Sequence, residues 1–382
     1  MQNKRTILFL TGKYSSDVAE AVNERVSQSN DNLGIIVNQR ELESTFMNFI
    51  DKVVPVNSKL RRLVRGAILT VKDTLSDKKI TQTIGFKNAN VLHSHIYNVL
   101  NRYTPDVVAV TSSEVLVPAL SAIHKTGKNT KVVAICDNFV LDEKMLNRNV
   151  DRFFVDNFDI RNKLIAGGIA EDKIEITPLA LKRSAQEEIT KEDAVKKLGL
   201  DESKKTILIN TSCDDRFKTL INALSEAHIN ANVVVACQSN VNLLNLARDK
   251  GFNAYNEGIN IHAAISASDL VITRPEPTFI AECVYKKKLI FGVLPLTPKE
   301  GNTLDYLGTD TIVKIENEKE LVEKASSYIS DLEAGSYTGY EEIFSLLEQK
   351  EFVDSAQRIS DFLIGLCINE RALKPSTHAS VE

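Results

Sequence analysis

The sequence lacks the features that mark membrane-spanning and secreted proteins. No segment approaches the roughly 20 apolar residues that a spanning helix needs, so we expect any membrane association to be peripheral. The N-terminal apolar run, Ile7 to Leu10, is too short for the apolar region of a signal peptide. The five cysteines are scattered without a C-x-x-C pair, which is typical of reduced thiols in a cytosolic protein.

Charge and histidine content exclude two further classes. A net charge of −4 does not indicate a nucleic-acid partner. His93 and His95 are two residues apart on a predicted helix, so they point to different sides and make a poor metal site. We therefore predict a cytoplasmic protein with no metal and no cofactor, which lies at the inner face of the membrane if it meets lipid.

What is present is a regular alternation of short apolar strands and helices. A chain of 382 residues is too long for one ordinary core and suits two domains. The stretch from Ser266 to Leu307 shows the alternation best, as a strand–loop–helix–strand unit of an open parallel sheet. Its predicted parts are a strand at Leu270 to Ile272, a loop at Arg274 to Pro277, a helix capped by Thr278, a strand at Leu289 to Phe291 and a loop from Gly292 to Gly301. In such sheets, ligands bind at the carboxyl ends of the strands.

This stretch resembles the processive diacylglycerol glycosyltransferases, which are monogalactosyldiacylglycerol synthase-like enzymes related to the peptidoglycan glycosyltransferase MurG. The family pattern is close to D-L-V-I-T-K-P-G-G-x-T-x-x-E-A, then a strand, then P-x-x-G-Q-E-x-x-N. The matching residues are Asp269 to Thr273, Pro275, Thr278, Glu282, Pro295 and Glu300 to Asn302. The run Val150 to Val155 is similar to the family's V-D-R-Y-F-V. The resemblance implies an α/β GT-B fold, with two Rossmann-like parallel-sheet domains facing across a cleft.

The resemblance and the composition together predict the domain organisation. The expected parts are an acceptor-side domain at 1–182, a linker at 183–204, a nucleotide-sugar-side domain at 205–350, a C-terminal helix at 351–371 that packs back towards the first domain, and a disordered tail at 372–382. The segment from Asn260 to Ser266 is the short helix that, in the family, presents backbone to the uracil.

The family's site residues transfer to this chain position by position. Glu282 would accept hydrogen bonds from the two ribose hydroxyls, and Thr278 at a helix N-terminus would receive a phosphate. Asn302 would touch the sugar or order the loop, and Gly301 beside it is a further predicted donor-binding residue. Arg274, at the lysine of K-P-G-G, and Asn240, at the asparagine of C-G-x-N, complete the predicted donor side. Asp137, after a strand, is the predicted acceptor-side catalytic acid or base; the alternative is that it caps the next segment.

The chain departs from the family at its glycine-bearing loops. Glu276 and Pro277 stand where the family has two glycines, and Pro298-Lys299 stands at its glutamine. The loop 211–216 has no glycine, and Ser15 in loop 11–16 replaces a histidine. Glycine lets backbone approach a ligand closely, so these changes together favour either a different donor or no catalysis.

The segment from Pro55 to Lys79 is the most basic part of the chain. Seven lysine and arginine residues, among them Lys59, Arg61, Arg62 and Arg65, stand against two aspartates, with apolar residues at near-helical spacing. One interpretation is a basic amphipathic helix that meets an anionic leaflet and the lipid acceptor. The other is a surface helix with a solvated basic face.

Three hypotheses of function follow. The first is a hexosyltransferase that moves a sugar from a UDP-sugar to a diacylglycerol-type lipid. The second is an inactive GT-B homologue that binds a nucleotide, a lipid or a protein partner. The third, a sugar-nucleotide 2-epimerase, shares the fold, but the carboxylates and histidine that its chemistry needs are not recognisable.

Overall fold

The computed structural model describes residues 4–12, 16–42, 92–308, 311–335, 339–349 and 353–373. The chain divides into two compact units. Unit 1 contains residues 1–137, 141–180 and 354–382, and unit 2 contains residues 138–140 and 181–353. The basic segment with Lys59, Arg61, Arg62 and Arg65 lies outside the described residues, as does Ser15.

Unit 1 is built on a parallel sheet of six strands within the described ranges. The strands are β1 Arg5–Thr11, β2 Asn32–Asn38, β3 Val107–Val110, β4 Lys131–Ile135, β5 Arg152–Val155 and β6 Ile174–Ile176, in the spatial order β2-β1-β3-β4-β5-β6. Helices cover Asp17–Val26, 39–42, 92–103, Ser113–Thr126, Phe158–Ala166 and Ser355–Leu373.

Unit 2 repeats this plan. Its strands are β7 Lys205–Asn210, β8 Ala231–Gln238, β9 Asn253–Asn256, β10 Leu270–Thr273, β11 Leu289–Gly292 and β12 Val313–Lys314, all parallel, in the order β12-β11-β10-β7-β8-β9. Its helices are Arg183–Gln186, Lys191–Lys197, Phe217–Glu226, Val241–Asp249, Ile261–Ala267, Pro277–Tyr285, Pro298–Leu307, Glu318–Glu333 and Glu341–Gln349.

The central strands of each sheet are buried along their whole length because helices cover both faces of the sheet there. All four residues of β3 and all four of β10 are buried. In unit 1 the C-terminal helix Ser355–Leu373 completes one of these layers. Its Leu363 and Cys367 are fully buried in the same cluster as Phe9 of β1.

Each sheet reverses its strand order at one place, and ligands of open parallel sheets bind at the carboxyl ends of the strands there. In unit 1 the reversal lies between β1 and β3, and in unit 2 between β7 and β10. In unit 1 this edge is crowded: a Cβ atom added to Gly12 would lie 3.0 Å from Ser112 Oγ. A larger residue at position 12 would therefore require Ser112 to shift.

Candidate functional site

The reversal point of unit 2 brings together the ends of β7 and β10. Asn210 at the end of β7 donates from Nδ2 to Oγ1 of Thr273 at the end of β10, at 3.3 Å, and both side chains are buried. The loops 211–216 and 274–276 leave the sheet directly after these residues. Most of the predicted donor-side residues therefore lie on this edge or on the helices next to it.

Glu282 is the most deeply placed carboxylate of this edge. It lies in the second turn of the helix Pro277–Tyr285, which follows β10, and its side chain is 7% exposed. His262, on the helix that precedes β10, approaches it with Nδ1 at 2.7 Å from Glu282 Oε1. Within the described part of the chain this is the one side-chain hydrogen bond of Glu282. Its second oxygen is thus left for another donor.

Arg274 follows β10 and is paired with carboxylates. Its Nη2 atom lies 2.5 Å from Glu300 Oε1, and its Nη1 atom lies 3.8 Å from Glu276 Oε1. Glu300 also accepts a hydrogen bond from the backbone N–H of Leu296, at 2.7 Å. An anionic ligand must therefore compete with Glu300 for this guanidinium.

Arg216 forms a second charged contact in the loop after β7. Its Nη2 atom donates to Asp214 Oδ2 at 2.6 Å and to the carbonyl oxygen of Leu294 at 2.9 Å, which joins this loop to the one after β11. Burial alone would raise the pKa of Asp214, but hydrogen bonds from Arg216 and its charge outweigh burial and lower the pKa. An open cavity of about 420 Å³ lies beside this contact and is lined by Arg216, Leu294 and Gly301, among others.

Two local predictions in this region are wrong. Thr278 is not the cap of its helix: the helix begins at Pro277 with Glu276 as N-cap, because proline is well suited to the first helical position. Gly301 is not in a loop. It lies, with Asn302, inside the helix Pro298–Leu307, which Thr297 caps by accepting from the N–H of Glu300 at 3.2 Å. Asn302 is exposed on that helix.

Asn240 binds the protein itself. Its Oδ1 atom caps the helix Val241–Asp249 by accepting from the N–H of Leu243 at 3.1 Å. Its Nδ2 group donates to the carbonyl of Cys213 at 3.2 Å and to Asp215 Oδ1 at 3.0 Å. Asn240 therefore orders the loop after β7, and these contacts account for an asparagine at this position without any ligand.

Four residues at this edge, three in loops and one at the end of β8, have left-handed backbone although none is glycine. They are Ser212 (φ 48°), Cys213 (φ 60°), Gln238 (φ 50°) and Leu294 (φ 46°). Side chains with a Cβ atom adopt this conformation at a cost of about 1–2 kcal/mol each. The backbone at Gln238 therefore has a conformation that glycine adopts without steric cost.

In unit 1 the acceptor-side candidate is Asp137. It lies two residues after the end of β4 and is half-buried. Five residues further along the chain, Asp142 Oδ2 accepts a hydrogen bond from Ser113 Oγ at 2.5 Å, which joins the start of the helix Ser113–Thr126 to the segment after β4. Among the described residues, no three His, Cys, Asp or Glu side chains converge as metal ligands. Across the described residues of both units, no helix has the length and apolar content that are needed to cross a bilayer.

Comparison with known sequences returns glycosyltransferases. No protein-family model matches the chain. A processive diacylglycerol beta-glucosyltransferase of Bacillus pumilus is 21% identical over 245 residues, which cover 62% of this chain and 63% of that protein. The chain spans 66% of the length of a second such relative, from Bacillus licheniformis. The corresponding protein of Staphylococcus haemolyticus is 21% identical over 352 residues, or 88% of this chain and 86% of the relative.

Comparison with solved structures gives the fold. The crystal structure of Acinetobacter baumannii MurG has a TM-score of 0.61 at 13% identity and covers 94% of this chain and 99% of its own. The Staphylococcus aureus MnaA–UDP co-structure has a TM-score of 0.59 at 14% identity, with 98% and 100% covered. A Neisseria meningitidis UDP-GlcNAc 2-epimerase bound to UDP-GlcNAc has a TM-score of 0.56 at 14% identity, with 95% and 100% covered.

The two parallel sheets and these neighbours define a GT-B protein, as predicted. Within that fold, the chain resembles the MurG-like glycosyltransferases, and its sequence relatives are processive diacylglycerol glucosyltransferases.

Proposed function

We propose that the protein binds a UDP-sugar in unit 2 and transfers its hexose to a diacylglycerol-type lipid at the membrane surface. The observation that carries the proposal is Glu282, a carboxylate with a 7% exposed side chain and one oxygen not used by the described residues. Burying a carboxylate is costly unless it is hydrogen-bonded, and a ligand that donates to the second oxygen of Glu282 would offset part of that cost. A ribose, with two adjacent hydroxyl donors, suits that need.

The diphosphate would lie at the start of the helix Pro277–Tyr285. The first backbone N–H groups of a helix have no partner inside the helix, and the dipole favours an anion there. Pro277 has no N–H to donate, so the backbone donors to a phosphate would come from the residues that follow it. Arg274 is close in sequence and would turn from Glu300 towards the phosphates. The cavity of about 420 Å³ beside Gly301 is within the usual size range of small-ligand sites and would hold the sugar.

The transfer itself needs a base for the acceptor hydroxyl, and Asp137 is the proposed one. The hydroxyl gives its proton to the carboxylate, its oxygen forms a bond to the anomeric carbon, and the bond from that carbon to the phosphate oxygen breaks, which releases UDP. The sequence relatives carry the name diacylglycerol beta-glucosyltransferase, which supports a lipid acceptor. The basic segment around Lys59, Arg61, Arg62 and Arg65 would then hold the protein to an anionic leaflet.

The test is an assay of labelled hexose transfer from UDP-glucose and UDP-galactose to diacylglycerol in phosphatidylglycerol-containing vesicles. Wild-type protein is expected to form glycolipid. Asp137→Asn and Glu282→Gln are expected to lose most of it, while Glu257→Gln, an exposed carboxylate of unit 2, keeps it. Glycolipid at background level with both UDP-glucose and UDP-galactose would contradict the proposed hexosyltransferase activity.

The second candidate is a GT-B protein that binds a nucleotide without catalysis. The observation in its favour is that Arg274 and Arg216 already hold carboxylates, Glu300 and Asp214, where a diphosphate would approach. UDP binding without any product in the transfer assay would favour this candidate. Such a protein would act through a lipid or protein partner.

A further inference from the structure

The helix Ile261–Ala267 places His262 against the buried carboxylate of Glu282, which lies on a different helix. Asn260 caps this helix by accepting from the N–H of Ala263 at 3.0 Å, which fixes the first turn and, with it, His262. Nδ1 of His262 then reaches Glu282 Oε1 at 2.7 Å across 20 residues of sequence. The helix with His262 precedes β10 in sequence and the helix with Glu282 follows it, so the contact connects the two elements on either side of that strand.

This contact determines how the carboxylate is presented. An ionised carboxylate only accepts hydrogen bonds, so Nδ1 of His262 carries the proton in this pair. The bond uses one lone pair of Oε1 and restrains the plane of the group, which holds Oε2 in a defined position. Without such a donor, a glutamate rotates freely about its last torsion angle, and any ligand that bonds the carboxylate must first order it.

We propose that His262 is a positioning residue for Glu282, and that it gives the site its selectivity for a ribose with both hydroxyls over a 2′-deoxyribose. The inference rests on the proposed nucleotide-binding function and names the part of the ligand that the pair reads. A site built to bond a hydroxyl discriminates strongly against the analogue that lacks it, because the buried acceptor is then left unpaired. The discrimination depends on the acceptor being held in place.

The test is a calorimetric titration of wild type, His262→Ala and His262→Asn with UDP and with 2′-deoxy-UDP. Wild type is expected to prefer UDP. His262→Ala is expected to bind UDP about tenfold or more weakly, the usual effect of losing a hydrogen bond to a charged group, and to bind 2′-deoxy-UDP nearly as before. His262→Asn, which keeps a donor at the position of Nδ1, is expected to regain most of the preference.

A merely structural role for His262 gives a different result. An equal fall in affinity for both nucleotides in His262→Ala, or a UDP preference unchanged from wild type, would overturn the inference while leaving the proposed function intact. Absence of UDP binding by wild type would overturn the proposed function, and the inference with it. Thermal unfolding of each variant separates loss of folding from loss of preference.

Discussion

Arg274 and Glu300 form a buried ion pair beside the carboxyl end of β10. Their side chains are 8% and 14% exposed, and the closest nitrogen and oxygen atoms lie 2.5 Å apart. Removing one partner of such a pair leaves a charge buried without compensation, whereas replacing both with apolar residues is often neutral. The pair therefore couples the stability of unit 2 to the electrostatics of the proposed phosphate site.

Glu300→Gln is expected to lower the free energy of unfolding by about 3 kcal/mol, because Arg274 loses its close carboxylate partner and keeps the more distant Glu276. The double variant Arg274→Met/Glu300→Met should lose clearly less. The same Glu300→Gln change should tighten UDP binding, since it removes a carboxylate near the diphosphate. Urea unfolding and titration with UDP measure the two effects. An equal loss of stability in the single and double variants would count against the coupling.

Gln238→Gly is expected to raise the free energy of unfolding by up to about 1 kcal/mol. The backbone there has φ 50°, which glycine adopts without steric cost, although glycine also loses more entropy on folding. The matched control is Ser239→Gly at the next position, where φ is not left-handed, and which should destabilise the protein. If both changes destabilise by the same amount, the conformation at Gln238 stores no strain.

Lys288 predicts a pH dependence of stability. Burial lowers the pKa of Lys288 to about 8, although Asp269 acts in the opposite sense, and Nζ donates to the carbonyls of Ser266 and Ser268 at 2.8 Å. Because the folded-state pKa lies below the unfolded value, folding opposes the charged form. The resulting penalty is complete below pH 8 and disappears as the pH rises from 8 to 10.5.

The unfolding free energy of wild type should therefore rise between pH 7.5 and 9.5, relative to Lys288→Met, by about 1–2 kcal/mol. The comparison with the methionine variant cancels the other groups that titrate in this range. Parallel pH profiles for the two proteins would show that Lys288 keeps its ordinary protonation in the folded state.

Cys213 is expected to be the first thiol that iodoacetamide modifies in native protein. It is half-buried, whereas the other four cysteines are buried, and burial raises the pKa of Cys237 to about 11. Only the thiolate reacts, so buried thiols of high pKa are slow. Because Cys213 lies in the loop after β7, UDP should slow its labelling. Peptide mass spectrometry with a Cys213→Ser control measures both rates, and labelling unaffected by saturating UDP would place the nucleotide elsewhere.

The fold was predictable because its signals are local. The apolar run of β10, the proline-containing loop and the next helix with Glu282 stand in order in the sequence. The errors at Thr278 and at Gly301 share one cause, since Pro277 and Pro298 begin helices where they were interpreted as parts of loops.

Other features of the site needed the tertiary structure. The contact of His262 with Glu282 joins residues 20 apart, and no pattern marks the histidine. The Asn260 cap is the one local signal, because it sets where that helix begins. The left-handed backbone at Ser212, Cys213 and Gln238 has no signal at all, since none of them is glycine.

The central claim is that Glu282 completes a working nucleotide site, and calorimetric titration of UDP tests it most directly. Wild type and Glu257→Gln should bind UDP with similar micromolar affinity, whereas Glu282→Gln should bind at least tenfold more weakly. The Gln variant keeps the size of the side chain, so folding should be preserved. Absence of binding to wild type at millimolar UDP, or equal binding by Glu282→Gln, would contradict the account.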